Sequence, residues 1–240
     1  MKEFTFHFTK NVMPHLSAKE LANWFKSIYA SNRGLPSGII FDCDGVLIDS
    51  RDANIEYYNY LRNYVGLPPL PENMHDFVQA GTVNEVLDVI IPKPLRPLMR
   101  DAVRKLSYRD EIMPHITHFP GLHAVLDLCK AAGIPMGIDT NRRDGMALIF
   151  NNCRLHGYFD PVVLVDTVPT PKPAPDGAFF IAEKWGLEPS SLLFIGASAS
   201  DRGAAQAAGV PFLSFQNQSL SKHSIAGYDI LQEALQSLGL

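Results

Sequence analysis

The chain has 240 residues, 46% of them hydrophobic and 19% charged, with a formal net charge of -4. That length buries a full core, as one large domain or as a core with an insertion, and the composition is that of a soluble globular protein. The negative balance excludes the broad basic face that nucleic-acid binding needs, though not a local positive cluster that holds a phosphate.

Three cysteines, Cys43, Cys129 and Cys153, are an odd count in apolar surroundings. They point to a reducing cytoplasm rather than a disulfide framework. The opening stretch MKEFTFHFTKNVMPHL lacks the unbroken apolar core of a secretion signal. No apolar run approaches the roughly 20 residues of a membrane span, so a cytoplasmic protein without a membrane partner is expected.

Residues 1–37 read as an N-terminal helical extension, in which Ser17 is placed to cap a helix carrying Leu21, Trp24, Phe25 and Ile28 at helical spacing. SNRGLPSG then punctuates the chain before a first strand, GIIFDC. From Arg51 to about Thr117 the pattern is helical and no strand is expected. ANIEYYNYLRNYV stops at Gly66, and VNEVLDVII and LRPLMRDAVRKLSY follow, with Pro92, Pro94 and Pro97 at their boundaries. After Phe119–Gly121 the rhythm alternates. Helix LHAVLDLCKAAG leads to strand IPMGID, helix GMALIFNNCRL to PVVLV, helix DGAFFIAEKWG to LLFIG, and helix DRGAAQAAG to PFLSF. Beyond Phe215 no element is assigned. Alternation implies parallel strands with helical crossovers, and GIIFDC belongs to the same set. The expected fold is α/β: a doubly wound, Rossmann-like parallel sheet over residues 38–52 and 118–240, with an α-helical cap inserted at 53–117.

In such a sheet, ligands sit at the carboxyl ends of the strands. FDCDGVLIDS places Asp42 and Asp44 two apart where a strand becomes a turn. A carboxylate pair at that range needs a cation or a shared proton, and it suits a nucleophile working beside a proton donor. The local alternative is an Asp-Gly turn that Asp42 merely caps. In GIDTNR, Thr140 and Asn141 offer a hydroxyl and an amide to a phosphoryl oxygen, or simply form a turn; in PTPKPAPDG, prolines restrict where the Lys172 ammonium can go. LLFIGASASDRG has the same strand–turn–helix form, yet Ala197 follows the glycine and the nearest carboxylate is Asp201. Arg142 and Arg143 suit either an anionic substrate or a helix start. His115, His118 and His123 fit no ligand spacing and read as hinge or surface residues. Cys43 reads as a small packed side chain, and Tyr57, Tyr58, Tyr60 and Tyr64 as an aromatic face of the first cap helix.

Together these strings resemble the haloacid dehalogenase superfamily of phosphohydrolases, from about Ile39 to Phe215. The likeness is to its helical-cap subgroup, the branch of phosphoglycolate phosphatases and beta-phosphoglucomutases. The resemblance implies a HAD-like core in which Asp42 is the nucleophile and forms an aspartyl-phosphate. Asp44 would protonate the leaving oxygen and then activate water. Thr140 and the backbone near Asn141 would orient the phosphoryl group, and Lys172 would neutralise charge. Mg²⁺ would bridge the Asp42 carboxylate, the Asp44 carbonyl and a phosphate oxygen. Family dehalogenases lack the second aspartate, so Asp44 favours phosphate chemistry. The departure is Ala197, where the family carries a metal-binding aspartate. Three readings follow: Asp201 holds the metal in a weakened enzyme, the protein is an impaired relative that binds a ligand or partner, or Ala197 is an engineered change. The implied protein is a Mg²⁺-dependent phosphatase of a small phosphorylated metabolite, monomeric or homodimeric. Its alternatives are a binding or regulatory module and a sugar phosphomutase. The cap would hinge near Ser50–Asp52 and Phe119–Gly121.

Overall fold

A computed structural model describes residues 14–80 and 83–240. Its strands are β1 (Gly38–Phe41), β2 (Ile48–Asp49), β3 (Thr117–His118), β4 (Met136–Asp139), β5 (Val162–Val163), β6 (Leu192–Gly196), β7 (Phe212–Phe215) and β8 (Ser224–Ile225). The helices are α1 (Ala18–Ile28), α2 (Arg51–Tyr64), α3 (His75–Ala80), α4 (Val83–Ile90), α5 (Met99–Lys105), α6 (Leu122–Ala131), α7 (Met146–Asn152), α8 (Asp176–Trp185), α9 (Ala199–Ala208) and α10 (Tyr228–Ser237).

Six strands form one parallel sheet in the order β5-β4-β1-β6-β7-β8. β1 lies inside it, in register with β4 through Ile39↔Met136 and with β6 through Gly38↔Leu192. Helices cover both faces, so β1 is an unbroken apolar run. Ile39 and Phe41 pack into one core with α1, α6, α7 and α10, while Ile40 packs into a second core with Phe194 of β6 and Ala178 and Ile181 of α8. The expected doubly wound α/β fold is observed.

Ser17 caps α1 in a reciprocal box with Glu20. The apolar face of the helix, Leu21 and Phe25, lies wholly buried in the first core. Residues 14–28 therefore cover the core; residues 1–13 of the expected extension lie outside the described residues. β8 and α10, which the sequence pattern did not yield, seal the same face through Tyr228, Leu231, Ala234 and Leu235. A two-residue strand is too short to show a period.

The expectation of no strand up to Thr117 needs one correction. β2 and β3 pair antiparallel, Ile48 with His118 and Asp49 with Thr117, and this ribbon closes the base of the helical insertion. Between them α2 to α5 gather around their own cluster, which includes Leu61, Val86, Ile91 and Ala102. The LRPLMRDAVRKLSY stretch is α-helical only over Met99–Lys105. Pro94 and Pro97 remove amide donors, so Lys93–Leu98 takes a 3₁₀ form, and Tyr108–Ile112 is a π-turn.

Candidate active site

Asp42 directly follows β1, its amide donating to the Ile195 carbonyl of β6 at 3.0 Å. The Lys172 ammonium reaches it from the loop before α8. Its Nζ donates to Asp42 Oδ1 at 2.8 Å, to Asp201 Oδ1 at 2.6 Å and to the main-chain oxygen of Asp139 at 2.7 Å. An ammonium has three donors, and all three are used. The loop itself is held from two sides. Asn141 Nδ2 donates to the Lys172 carbonyl at 2.9 Å. On the α9 side, Gly203 lets Pro173 come close: a Cβ there would stand 2.7 Å from the Pro173 Cβ.

Asp201 is fully buried and holds the third position of α9. While Oδ1 takes Lys172, Oδ2 accepts from Ala197 N at 3.0 Å, Ser198 N at 2.9 Å and Ser198 Oγ at 2.6 Å. Both oxygens of Asp201, the cation ligand expected from the sequence, are thus engaged by protein donors. Its carboxylate caps α9 and fixes Lys172.

One ammonium thus bonds two carboxylates and a main-chain carbonyl in a buried site. Burial pushes the Asp42 carboxyl up to about 7; Lys172 opposes this and the charges of Asp201 and Asp44 add to it. Asp139, given no role by its sequence context, is buried beside them. Burial raises its carboxyl to about 6 against the pull of Lys172, and its Oδ2 has no hydrogen-bond partner among the described residues. Burial works against the charge on Lys172, but Asp42, Asp201 and Asp139 together hold it protonated.

Asp44 lies apart from that cluster. Arg142 grips it with both arms of its guanidinium, Nε to Oδ2 at 2.7 Å and Nη2 to Oδ1 at 3.0 Å. The Arg142 amide donates to Thr140 Oγ1 at 3.2 Å, which leaves the Thr140 hydroxyl proton to be offered elsewhere. Arg143 instead pairs with Asp166 in solvent. Cys43 is buried, with Sγ 3.9 Å from Met146 Sδ. His118 and His123 stack edge to face, and His123 Nε2 meets the Cys153 carbonyl at 3.0 Å.

The family model described as haloacid dehalogenase-like hydrolase matches residues 39–215. The chain belongs to the haloacid dehalogenase-like hydrolases. A phosphoglycolate phosphatase of Chromobacterium violaceum is 31% identical over 179 residues, 71% of this chain and 81% of the relative. Among solved structures, a HAD-superfamily hydrolase of subfamily IA from Geobacter sulfurreducens superposes with a TM-score of 0.74 at 30% identity, covering 85% of this chain and 98% of that one. A HAD family hydrolase from Deinococcus radiodurans shares the fold, with a TM-score of 0.70 at 22% identity over 85% and 96% of the two chains. This haloacid dehalogenase-like hydrolase is of the phosphatase type.

Such hydrolases imply a divalent cation, and the donors present fit one sparsely. Among the described residues no three His, Cys, Asp or Glu side chains converge as a metal-binding group. The Asp42 carboxylate and the main-chain carbonyl of Asp44 suit a hard cation that completes its shell with water and substrate oxygens. Ala197 contributes only a methyl beside the Asp44–Gly45 turn, its Cβ 3.5 Å from where a Gly45 Cβ would stand.

Proposed function

We propose that this phosphatase hydrolyses a small phosphate monoester through an aspartyl-phosphate on Asp42. The observation that carries the reading is the sealed Lys172 contact, which fixes one Asp42 oxygen and leaves the other to attack. Asp42 Oδ2 attacks phosphorus and the ester P–O bond breaks, with Asp44 supplying a proton to the departing oxygen. Water then attacks the aspartyl-phosphate with Asp44 taking its proton; inorganic phosphate leaves and Asp42 is restored. The Thr140 hydroxyl and the Asn141 main chain hold phosphoryl oxygens, and Lys172 offsets their charge. The Asn141 side chain serves a different end, anchoring the Lys172 loop.

Asp42 and the Asp44 carbonyl would hold Mg²⁺, which when bound neutralises phosphate charge and orients the group. With Ala197 in place of a carboxylate, that binding is weak. The helices of residues 53–117 act as a cap that closes over the strand ends and excludes water. The names of the relatives support phosphoglycolate as the first ester to test.

The test is phosphate release from phosphoglycolate and from an aryl phosphate across a Mg²⁺ titration. Turnover is expected, with Asp42→Asn lowering it on the order of 10³-fold or more. A wild-type protein inert over a broad ester panel at high Mg²⁺ would overturn the reading in favour of a binding module.

A further inference from the structure

Asp44 cannot reach a leaving oxygen while both its oxygens lie on Arg142. We infer that Arg142 selects phosphate esters carrying a second anionic group, of which a carboxylate is the simplest, because that group takes the guanidinium over and sets Asp44 free. The inference rests on the phosphatase reading above and names the substrate class of that same site.

The two partners differ in their freedom. Asp44 has a side chain 39% exposed and can swing into the cleft; Arg142, at 17%, stays where it is. Its backbone is pinned twice, by the amide on Thr140 Oγ1 and by the carbonyl, which accepts from Val165 N at 3.1 Å. The Asp44 carboxylate holds the Arg142 charge firmly despite its burial, and the neighbouring Cys43 and Tyr108 contribute little. When Asp44 departs, a largely buried guanidinium is left without its counter-ion, and stranding a charge in this way is costly. A neutral ester leaves that cost in place. An ester with a carboxylate near its bridging oxygen removes it by offering the same planar, two-oxygen partner.

Because Asp44 serves the leaving oxygen, the guanidinium that holds it stands on the leaving-group side. The anion it wants therefore belongs to the alcohol half of the ester. Arg143 does not compete for this role, since its side chain is 70% exposed and its pairing with Asp166 is screened by water. The coupling makes Arg142 a specificity residue whose effect falls on turnover as well as on binding.

The experiment uses two stable phosphonates of matched size, 3-phosphonopropionate and propylphosphonate, in calorimetric titrations of the whole protein. The wild type is expected to favour the carboxylated ligand by about ten- to a hundredfold, the scale of one charge-assisted two-point contact. Arg142→Gln is expected to reduce that ratio to near one, with Arg142→Lys falling between. Asp44→Ala removes the internal competitor and is expected to raise the ratio above that of the wild type, a gain that a purely structural Arg142 would not give. No preference in the wild type, a preference surviving in Arg142→Gln, or a ratio unmoved in Asp44→Ala would overturn the exchange. Turnover of phosphoglycolate against ethyl phosphate, measured beside these, separates the two readings. If neither ester is hydrolysed while the binding ratios behave as stated, the anion site stands and the phosphatase reading falls.

Discussion

Lys172 and Arg142 each grip an aspartate of the same turn, and the surroundings make the two pairs behave differently. The Lys172 side chain is 2% exposed and bonds two aspartates and a carbonyl at once, so no partner can leave without stranding a charge. Asp44 has one charged partner and an open side towards solvent. The first pair is a fixed scaffold that aims Asp42, the proposed nucleophile, and the second is a contact that can be exchanged. Burial, rather than the type of charge, decides which ion pair in a site is permanent.

The largest effect is expected at Lys172. Lys172→Met leaves Asp42 and Asp201 buried without their cation and is expected to cost about 3–5 kcal/mol of stability, read from urea unfolding, with loss of turnover. A change under about 1 kcal/mol would show that the cluster is not the scaffold described.

Asp139→Asn sharpens the same half from the other direction. Asp139 is a buried acid with an unpaired oxygen, its folded value near 6 lying above the ordinary 3.8. The folded state therefore binds more protons than the unfolded chain between those values, and stability from this group declines as pH rises from about 4 to about 6, then stays low. The amide should stabilise the fold by about 1–3 kcal/mol at pH 8, and the gain should vanish near pH 4. Melting temperatures of the two proteins across that range check the sign.

A smaller effect is expected from Gly203→Ala. The added methyl would stand 2.7 Å from the Pro173 Cβ, closer than packed carbons approach, so the Lys172 loop must move away from α9. About 1–2 kcal/mol of destabilisation and a fall in kcat larger than any change in KM should follow.

Ala197→Asp tests the vacant acidic position. Divalent-metal affinity, followed by calorimetry with Mn²⁺, should rise about tenfold or more, the worth of one added charged ligand. An unchanged affinity would mean that a carboxylate at 197 does not reach the cation.

Much of this site was legible in short strings because each string is self-contained. FDCDG ends a buried strand in two acids, and PTPKPAPDG stiffens the approach of a lysine. What the strings could not give was what each oxygen is bonded to. Asp201 lies in the right turn for a metal ligand, yet its oxygens are taken by Lys172, 29 residues away, and by the cap of its own helix. The hold of Arg142 on Asp44 spans 98 residues, and a neighbouring-residue pattern carries no trace of it. Asp139 left a faint signal, a carboxylate closing an otherwise apolar strand. The elements that escaped follow the same logic. β2, β3 and β8 are two residues each and exist through their partners, and α10 is fixed by the core that it covers.

The central claim is that Asp42 carries the phosphoryl group. The most direct measurement is an acid quench of the enzyme during turnover of phosphoglycolate, followed by mass spectrometry of its peptides. One phosphoryl group is expected on the peptide containing Asp42, absent in Asp42→Asn. Steady turnover with an unmodified Asp42, or a phosphoryl group on another residue, would contradict it.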